Sequence, residues 1–172
     1  MHKGHVIPRD PKFTSIGDAC VTAGGAFCVI LEFWFDVHWS DKTKQAIAAK
    51  TIHMNMMEFA IAILQRAAVI TIMENSQFQE AIAHNFDWGI PSLAKLLIRT
   101  DNSPSQNWAH KVSSRSEKGQ QMIHLYAALL DHTSIAVACN HVAGKDNTLA
   151  DFIFRPPTHL PAIYGHAPPT DI

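Results

Sequence analysis

Four acidic residues stand at the ends of predicted apolar strands or at the starts of predicted helices: Asp18, Glu58, Asp101 and Asp151. His141 precedes the last of them by ten residues, within HVAGKDNTLAD. Carboxylate oxygens from distant parts of a chain can supply the octahedral cage that a hard divalent cation prefers. Two such cations on a phosphate can activate a water for attack on phosphorus. The acids therefore predict a magnesium-dependent site for phosphodiester hydrolysis.

The composition predicts one folded domain. The 172 residues are 47% hydrophobic, which is enough for a single core and unlike a disordered chain. The formal net charge is −1 and the pI is near 6.8, so no basic field covers the whole surface. Any contact with a polynucleotide must then come from a local cluster of lysine and arginine side chains.

The cysteine and histidine patterns argue against a disulfide framework and against a zinc site. Cys20, Cys28 and Cys139 are odd in number and lack CxxC spacing, which predicts reduced thiols in an intracellular protein. The eleven histidines are scattered and form no HxxxH or HExxH pair.

No segment predicts export or membrane insertion. The N-terminal residues MHKGHVIPRDPKF lack the apolar centre of a signal peptide. The apolar run at residues 59–73 is interrupted by Gln65 and Arg66 and is shorter than a membrane span. We expect a soluble intracellular protein, cytoplasmic or nuclear, with no membrane contact.

Apolar runs predict strands in the first part of the chain. Residues 13–20 and 26–35 are expected to form two strands joined by a tight hairpin turn at Gly24-Gly25. Residues 36–39 are expected to form a third strand.

The segment NMMEFAIAILQRAAVI predicts a long helix. Asn55 and Glu58 have the spacing of a capping box, so the helix is expected to begin at Asn55. Residues 74–92 mix polar and aromatic side chains with Gly89 and Pro91, which predicts an irregular or short helical insertion.

The rest of the chain alternates strand and helix patterns. Residues 93–100 predict a central buried strand, and residues 134–139 a short one. Helices are expected from Ser103, where the following proline suits a first turn, over residues 117–130, and from Thr148. This alternation predicts an α/β fold with a mixed sheet flanked by helices.

Four segments occur in a fixed order along residues 13–155: IGDACVTAGGAF, NMMEFAIAI, LLIRTDNSPSQNWAHK and HVAGKDNTLADFIFR. Each of them supplies one of the acids. As an ordered set they resemble the ribonuclease H family, and within it the RNase H-like domains of retrotransposon reverse transcriptases, DIRS-like or related elements in particular. The resemblance implies an RNase H-like fold, a five-stranded mixed sheet with helices on both faces. Residues 1–12 would be an N-terminal extension and residues 156–172 a proline-rich tail or linker.

The same resemblance implies a reaction and a set of roles. The reaction is endonucleolytic cleavage of the RNA strand of an RNA–DNA hybrid with two Mg²⁺ ions, for which Mn²⁺ is expected to substitute. Asp18 matches the acid of the first strand and Glu58 the acid of the first helix. Asp101 matches the acid after the fourth strand, and Asp151 the acid that opens the last helix. His141 matches a mobile-loop histidine that assists proton transfer or product departure.

Recognition of a hybrid needs phosphate contacts and a group that reads the 2′-hydroxyl. Candidate readers are the predicted glycine turn and two asparagines near the acids, while lysine and arginine side chains would reach phosphates. The predicted substrate-binding residues are Gly24, Gly25, Asn55, Asn102, Lys111, Arg115 and Lys118. The basic residues could equally form an ordinary solvated face.

Each acid has a structural alternative that the sequence leaves open. Glu58 could complete the capping box, and Asp151 could be a first-turn acid favoured by the helix dipole. Asp101 could belong to an Asx turn and Asp18 to a loop edge. Their joint occurrence in this order favours the metal site.

Other residues weaken or limit the resemblance. His141 could be a solvated loop histidine. Trp108 could stack on nucleic acid, but an aromatic residue on an amphipathic helix is expected to pack in the core. Phe154 stands where the retroelement motif commonly has serine, and the segment between Glu58 and Asp101 is longer than in cellular ribonucleases H. The sequence also lacks a basic protrusion for gripping a hybrid, so the domain is expected to depend on an adjoining reverse transcriptase polymerase domain.

Two other functions fit parts of the pattern. One is a catalytically silent RNase H-like module that serves as a structural or connecting domain. The other is a related nuclease of the same superfold that acts on DNA. The presence of all the acids favours an enzyme, and the HVAGKDNTLAD segment favours ribonuclease H.

Overall fold

The strands of the sheet come from three separate parts of the chain. In this computed structural model, which describes residues 13–28, 30–77, 80, 95–111, 116–131 and 136–147, one sheet is present. Its strands are Phe13–Ala19 (β1), Ala23–Cys28 (β2), Phe33–His38 (β3), Lys95–Thr100 (β4) and Ala136–His141 (β5). Their order across the sheet is β3-β2-β1-β4-β5.

The sheet is mixed, as predicted. β1, β2 and β3 pair antiparallel through short turns, whereas β4 and β5 join β1 in parallel. Parallel neighbours need long crossover connections, and here helices lie between them in sequence. The predicted α/β class, with a five-stranded mixed sheet and helices around it, is confirmed.

Among the described residues, two helices follow β3, two follow β4, and a short 3-10 turn follows β5. They are Asp41–Ala48 (α1), Met54–Glu74 (α2), Ser103–Lys111 (α3) and Glu117–Asp131 (α4), with a 3-10 turn at Gly144–Asp146. α1 was not predicted, although Ser40 accepts a hydrogen bond from the Thr43 amide at 3.2 Å, which is an ordinary helix N-cap. α2 begins at Met54, one residue before the predicted start.

α2 is the central helix of the core. Its apolar side chains join residues of β1, β2 and β4 in the main buried cluster, and Phe59 is fully buried there. The Phe59 ring lies 5.6 Å from the Trp108 ring of α3 and 5.3 Å from the Tyr126 ring of α4. Trp108 therefore packs against the core, as expected.

The predicted hairpin turn at Gly24-Gly25 is wrong. Both glycines lie inside β2, and the turn comes earlier, where the Cys20 amide donates to the Ala23 carbonyl at 2.7 Å. The predicted strand over residues 26–35 is divided by a second turn, in which Glu32 has a φ of 49°.

α2 is long and apolar enough to cross a membrane by length and composition alone. However, 56% of its most apolar window is buried inside the fold. It also carries the buried polar side chains Glu58, Gln65 and Arg66. α2 is therefore a core helix, which is consistent with a soluble protein.

Several predicted segments lie outside the described residues. They are the extension at residues 1–12, most of residues 74–92, the helix expected from Thr148, and the tail at residues 156–172.

Candidate metal centre

The parallel pairing of β1 with β4 brings the first and third acids together. Ile16 of β1 is level with Arg99 of β4. Two residues further along each strand, Asp18 therefore comes level with Asp101, which directly follows β4. Neighbouring strands lie about 4.8 Å apart, so both carboxylates stand at the same edge of the sheet.

α2 supplies the second acid. Glu58 lies one turn inside α2, and its Oε1 accepts a hydrogen bond from the Ala19 amide of β1 at 3.2 Å. This bond fixes the carboxylate beside Asp18. The capping-box alternative for Glu58 is wrong, because His53 is the N-cap of α2 and caps it without a side-chain bond.

The three carboxylates form one compact cluster. One oxygen from each of Asp18, Glu58 and Asp101 lies within 4.8 Å of the other two. Asp18 is 3% and Glu58 7% exposed, and Asp101 is half-buried. Burial separates this cluster from the solvated acids that are common on protein surfaces.

Electrostatic repulsion is concentrated on Glu58. Burial, and then the charges of Asp18 and Asp101, raise the pKa of Glu58 to about 9, while the hydrogen bond from the Ala19 amide lowers it. Without a cation the glutamate therefore carries a proton at neutral pH. A bound divalent cation would offset the repulsion and favour the ionised form.

The donor set fits a hard divalent cation. Mg²⁺ prefers carboxylate and water oxygens and is usually held by few carboxylates, so this cluster has the right chemistry. Asp151, the fourth predicted ligand, lies outside the described residues.

His141 lies beside the acids. It is the last residue of β5 rather than part of the following loop, and its Nε2 lies 3.0 Å from the Asp101 carbonyl oxygen. Because a carbonyl can only accept, Nε2 carries the proton, and in the neutral ring Nδ1 is left as an acceptor. Gly144 also lies near Asp101, since a Cβ added to this glycine would be 3.4 Å from Asp101 Oδ2.

Asn55 and Asn102 bond to each other near the acids. Asn102 Nδ2 donates to Asn55 Oδ1 at 3.0 Å, and Asn102 Oδ1 accepts from the Ser105 amide at 2.9 Å. Asn102, and not Asp101, therefore caps α3. The alternative that the sequence left open for Asp101 was an Asx turn. Contacts of the two asparagines with a substrate stay a prediction.

The predicted glycine contacts have little support in the backbone. A Cβ on Gly24 would lie 2.8 Å from the Ile61 side chain and 2.9 Å from Trp39, so this glycine faces the core. Gly25 pairs with Asp18 on one side and with Asp36 on the other. The amides of both glycines are therefore inside the sheet rather than in an open turn.

The predicted phosphate contacts are spread over α3 and α4. Lys111 ends α3 and is exposed, about 12 Å along the helix from its first residue. Lys118 Nζ donates to the Thr51 carbonyl at 3.3 Å. Arg115 lies outside the described residues.

Two buried polar residues, Ser105 and Asn147, were not predicted from the sequence. Ser105 is fully buried, and its hydroxyl lies 3.1 Å from the Asn55 carbonyl oxygen. Asn147 is 2% exposed, and its amide atoms have no hydrogen-bond partner in the described part of the chain. The position of Ser105, third in a predicted helix, could have indicated a hydrogen-bonding role. The sequence alone does not show that its partner is Asn55.

No protein-family model matches the chain, and no curated protein matches it. The residues and their geometry must therefore carry any statement about function.

Proposed function

We propose that the chain is a magnesium-dependent endoribonuclease of the ribonuclease H type, which cleaves the RNA strand of RNA–DNA hybrids. The observation that carries the proposal is the buried cluster of Asp18, Glu58 and Asp101, with oxygens within 4.8 Å of one another. The sequence order of the acids and the mixed sheet that presents them agree with the proposal.

The protein's own groups have definite tasks in this proposal. Asp18, Glu58 and Asp101 would hold the cations, and Glu58 would release its proton when they bind. Bound Mg²⁺ would supply positive charge that lowers the pKa of the attacking water and offsets charge on the leaving 3′ oxygen. His141 exchanges a proton with solvent through Nδ1, since Nε2 is held by the Asp101 carbonyl.

The proposal extends to the setting of the enzyme. The resemblance in sequence supports an adjoining reverse transcriptase polymerase domain and an intracellular location, cytoplasmic or nuclear. In that setting the domain would degrade the RNA of hybrids made during replication of the element.

The test is cleavage of a labelled RNA–DNA hybrid in Mg²⁺ by the intact chain and by Asp101→Asn. Loss of a metal ligand is expected to raise the activation barrier by several kcal/mol, which lowers the rate roughly a hundredfold or more. Asp41→Asn is the matched control, because its carboxylate is 90% exposed and pairs with Lys44 at the surface of α1. This control is expected to cut like the unaltered chain.

The same assay separates the alternatives. If Asp101→Asn cuts the hybrid as fast as the intact chain, the proposed site is ruled out. No cutting by the intact chain, together with no Mg²⁺ uptake in calorimetry, would favour the silent module. Cutting of duplex DNA in preference to the hybrid would favour the DNA nuclease.

A further inference from the structure

Glu58 and Asp101 are held by segments that are distant in sequence, and one small set of polar residues joins those segments. Asn55 precedes Glu58 by one turn of α2, and Asn102 directly follows Asp101. Ser105 lies in the first turn of α3. We call Asn55, Asn102 and Ser105 the polar clamp.

Ser105 is the residue that contacts both sides of the polar clamp. Its hydroxyl lies 3.1 Å from the Asn55 carbonyl oxygen and 3.0 Å from Asn102 Oδ1. Its amide donates to the same Asn102 oxygen at 2.9 Å. One serine therefore links the start of α2 to the start of α3.

Asn102 completes the connection to β4. Its backbone N–H donates to Thr100 Oγ1 at 3.1 Å, and its side-chain Nδ2 donates to Asn55 Oδ1 at 3.0 Å. The corner that carries Asp101 is thus bonded on one side to β4 and on the other to α2. The backbone amide, the backbone carbonyl and both side-chain amide atoms of Asn102 are bonded inside the protein.

Burial makes these bonds consequential. Ser105 is 0% exposed, so its hydroxyl bonds form away from bulk water, although Asn55 and Asn102 are themselves half-buried. A buried polar group that loses its partner costs more than the bond itself contributes. Removal of the Ser105 hydroxyl deletes the bond that ties the Asn55 carbonyl at the start of α2 to α3.

We propose that Ser105 is a positioning residue, which sets the separation of the Glu58 and Asp101 carboxylates through the polar clamp. This inference rests on the proposed function. Mg²⁺ demands near-ideal octahedral geometry, so a small change in that separation weakens its binding. Groups that orient metal ligands from behind typically account for about 10- to 100-fold in metal affinity or activity.

The test compares Ser105→Ala, Ser105→Thr and Ser103→Ala in the full chain. Titration calorimetry measures Mg²⁺ affinity without any nucleic acid, and steady-state cleavage of a hybrid measures kcat and KM. Ser105→Ala is expected to bind Mg²⁺ about tenfold more weakly. Its kcat should fall with KM for the hybrid little changed, and excess Mg²⁺ should restore much of the rate. Thermal melting shows whether each variant is folded.

The other variants decide what the loss means. Ser105→Thr keeps the hydroxyl and is expected to recover Mg²⁺ affinity. Ser103→Ala removes an exposed hydroxyl from the same helical turn and should behave like the unaltered chain. A folded Ser105→Ala that binds Mg²⁺ normally, or that only raises KM, would overturn the positioning role.

Failure of the proposed function has a different signature. An unaltered chain that binds Mg²⁺ but cuts no hybrid would refute the activity, while Ser105→Ala would still report on the polar clamp through metal affinity. An unaltered chain that takes up no Mg²⁺ or Mn²⁺ would overturn both.

Discussion

Glu58 is the acid whose ionisation is most costly in the folded chain. It is nearly buried, and Asp18 and Asp101 both stand within reach of its carboxylate. The Ala19 amide stabilises the ionised form, but burial and the two negative neighbours outweigh this bond. At residue scale, a bound cation would therefore offset a cost that three free carboxylates would have to bear.

This cost predicts a pH dependence of stability. The pKa of Glu58 is about 9 in the folded chain, whereas the ordinary pKa of a glutamate is 4.5. Between these values the folded state holds a proton that the unfolded state has released, so the free energy of unfolding falls as pH rises. The loss levels off above the folded pKa. Urea unfolding at a series of pH values, with chelator present, measures it.

Glu58→Gln is the control for that measurement. Glutamine keeps the shape of the neutral glutamate but cannot ionise, so the fall in stability over this pH range should flatten. An identical pH profile in the variant and the unaltered chain would show that another group is responsible. Adding Mg²⁺ to the unaltered chain should reverse the fall, because a ligand of the folded state stabilises it.

The residue types of the site are predictable from sequence, but their supporting contacts are not. Asp18, Glu58 and Asp101 each stand at the end of a strand pattern or the start of a helix pattern. Ser105 stands in an equally ordinary helix start. Its importance comes from a partner 50 positions away, Asn55, and no local pattern encodes that pairing.

At the scale of elements, the site depends on how closely α2 approaches β1. A Cβ on Gly17 would overlap Gln65 Nε2 and would lie 2.7 Å from Ile61 Cγ2. Gly17 precedes Asp18, so the glycine lets the helix lie near the strand that carries the first acid. A side chain here would push the two elements apart.

Gly17→Ala is therefore expected to lower stability. The displaced Gln65 amide is the end of a flexible side chain, but the Ile61 branch is not, and overpacking of this kind costs about 1 to 3 kcal/mol. Urea unfolding measures the change. Adding Gln65→Ala should recover part of it if close approach is the cause. A Gly17→Ala chain of unchanged stability would contradict the tight packing of α2 on β1.

The elements also show where local patterns mislead. Gly24-Gly25 has the composition of a hairpin turn, yet the close approach of Ile61 and Trp39 is what requires a glycine at position 24. Asn55 and Glu58 have capping-box spacing, but each bonds to another element, α3 or β1. Tertiary contacts in these cases override the local preference. Strongly apolar runs such as β4 and α2 were predictable because burial itself selects them.

At the scale of the whole molecule, the core contains an unexpected cation. Arg66 of α2 is 1% exposed and lies over the Tyr126 ring, 5.2 Å from its centroid. By distance and angle, none of its side-chain nitrogens has a hydrogen-bond partner in the described part of the chain, although the Tyr126 side chain lies close enough to interact with the guanidinium. Burial lowers the pKa of Arg66, although the nearby Tyr126 opposes this.

Arg66→Met is expected to stabilise the fold. Methionine has a similar length and no charge, and replacing buried charged groups with apolar ones of like volume often gains about 1 to 4 kcal/mol. A cation–π contact with Tyr126 offsets only about 0.5 to 2 kcal/mol. Arg99→Met, an exposed position on β4, is the matched control and should change stability by less than about 0.5 kcal/mol. If Arg66→Met unfolds more easily than the unaltered chain in urea, the guanidinium is paired, and its charge supports the core.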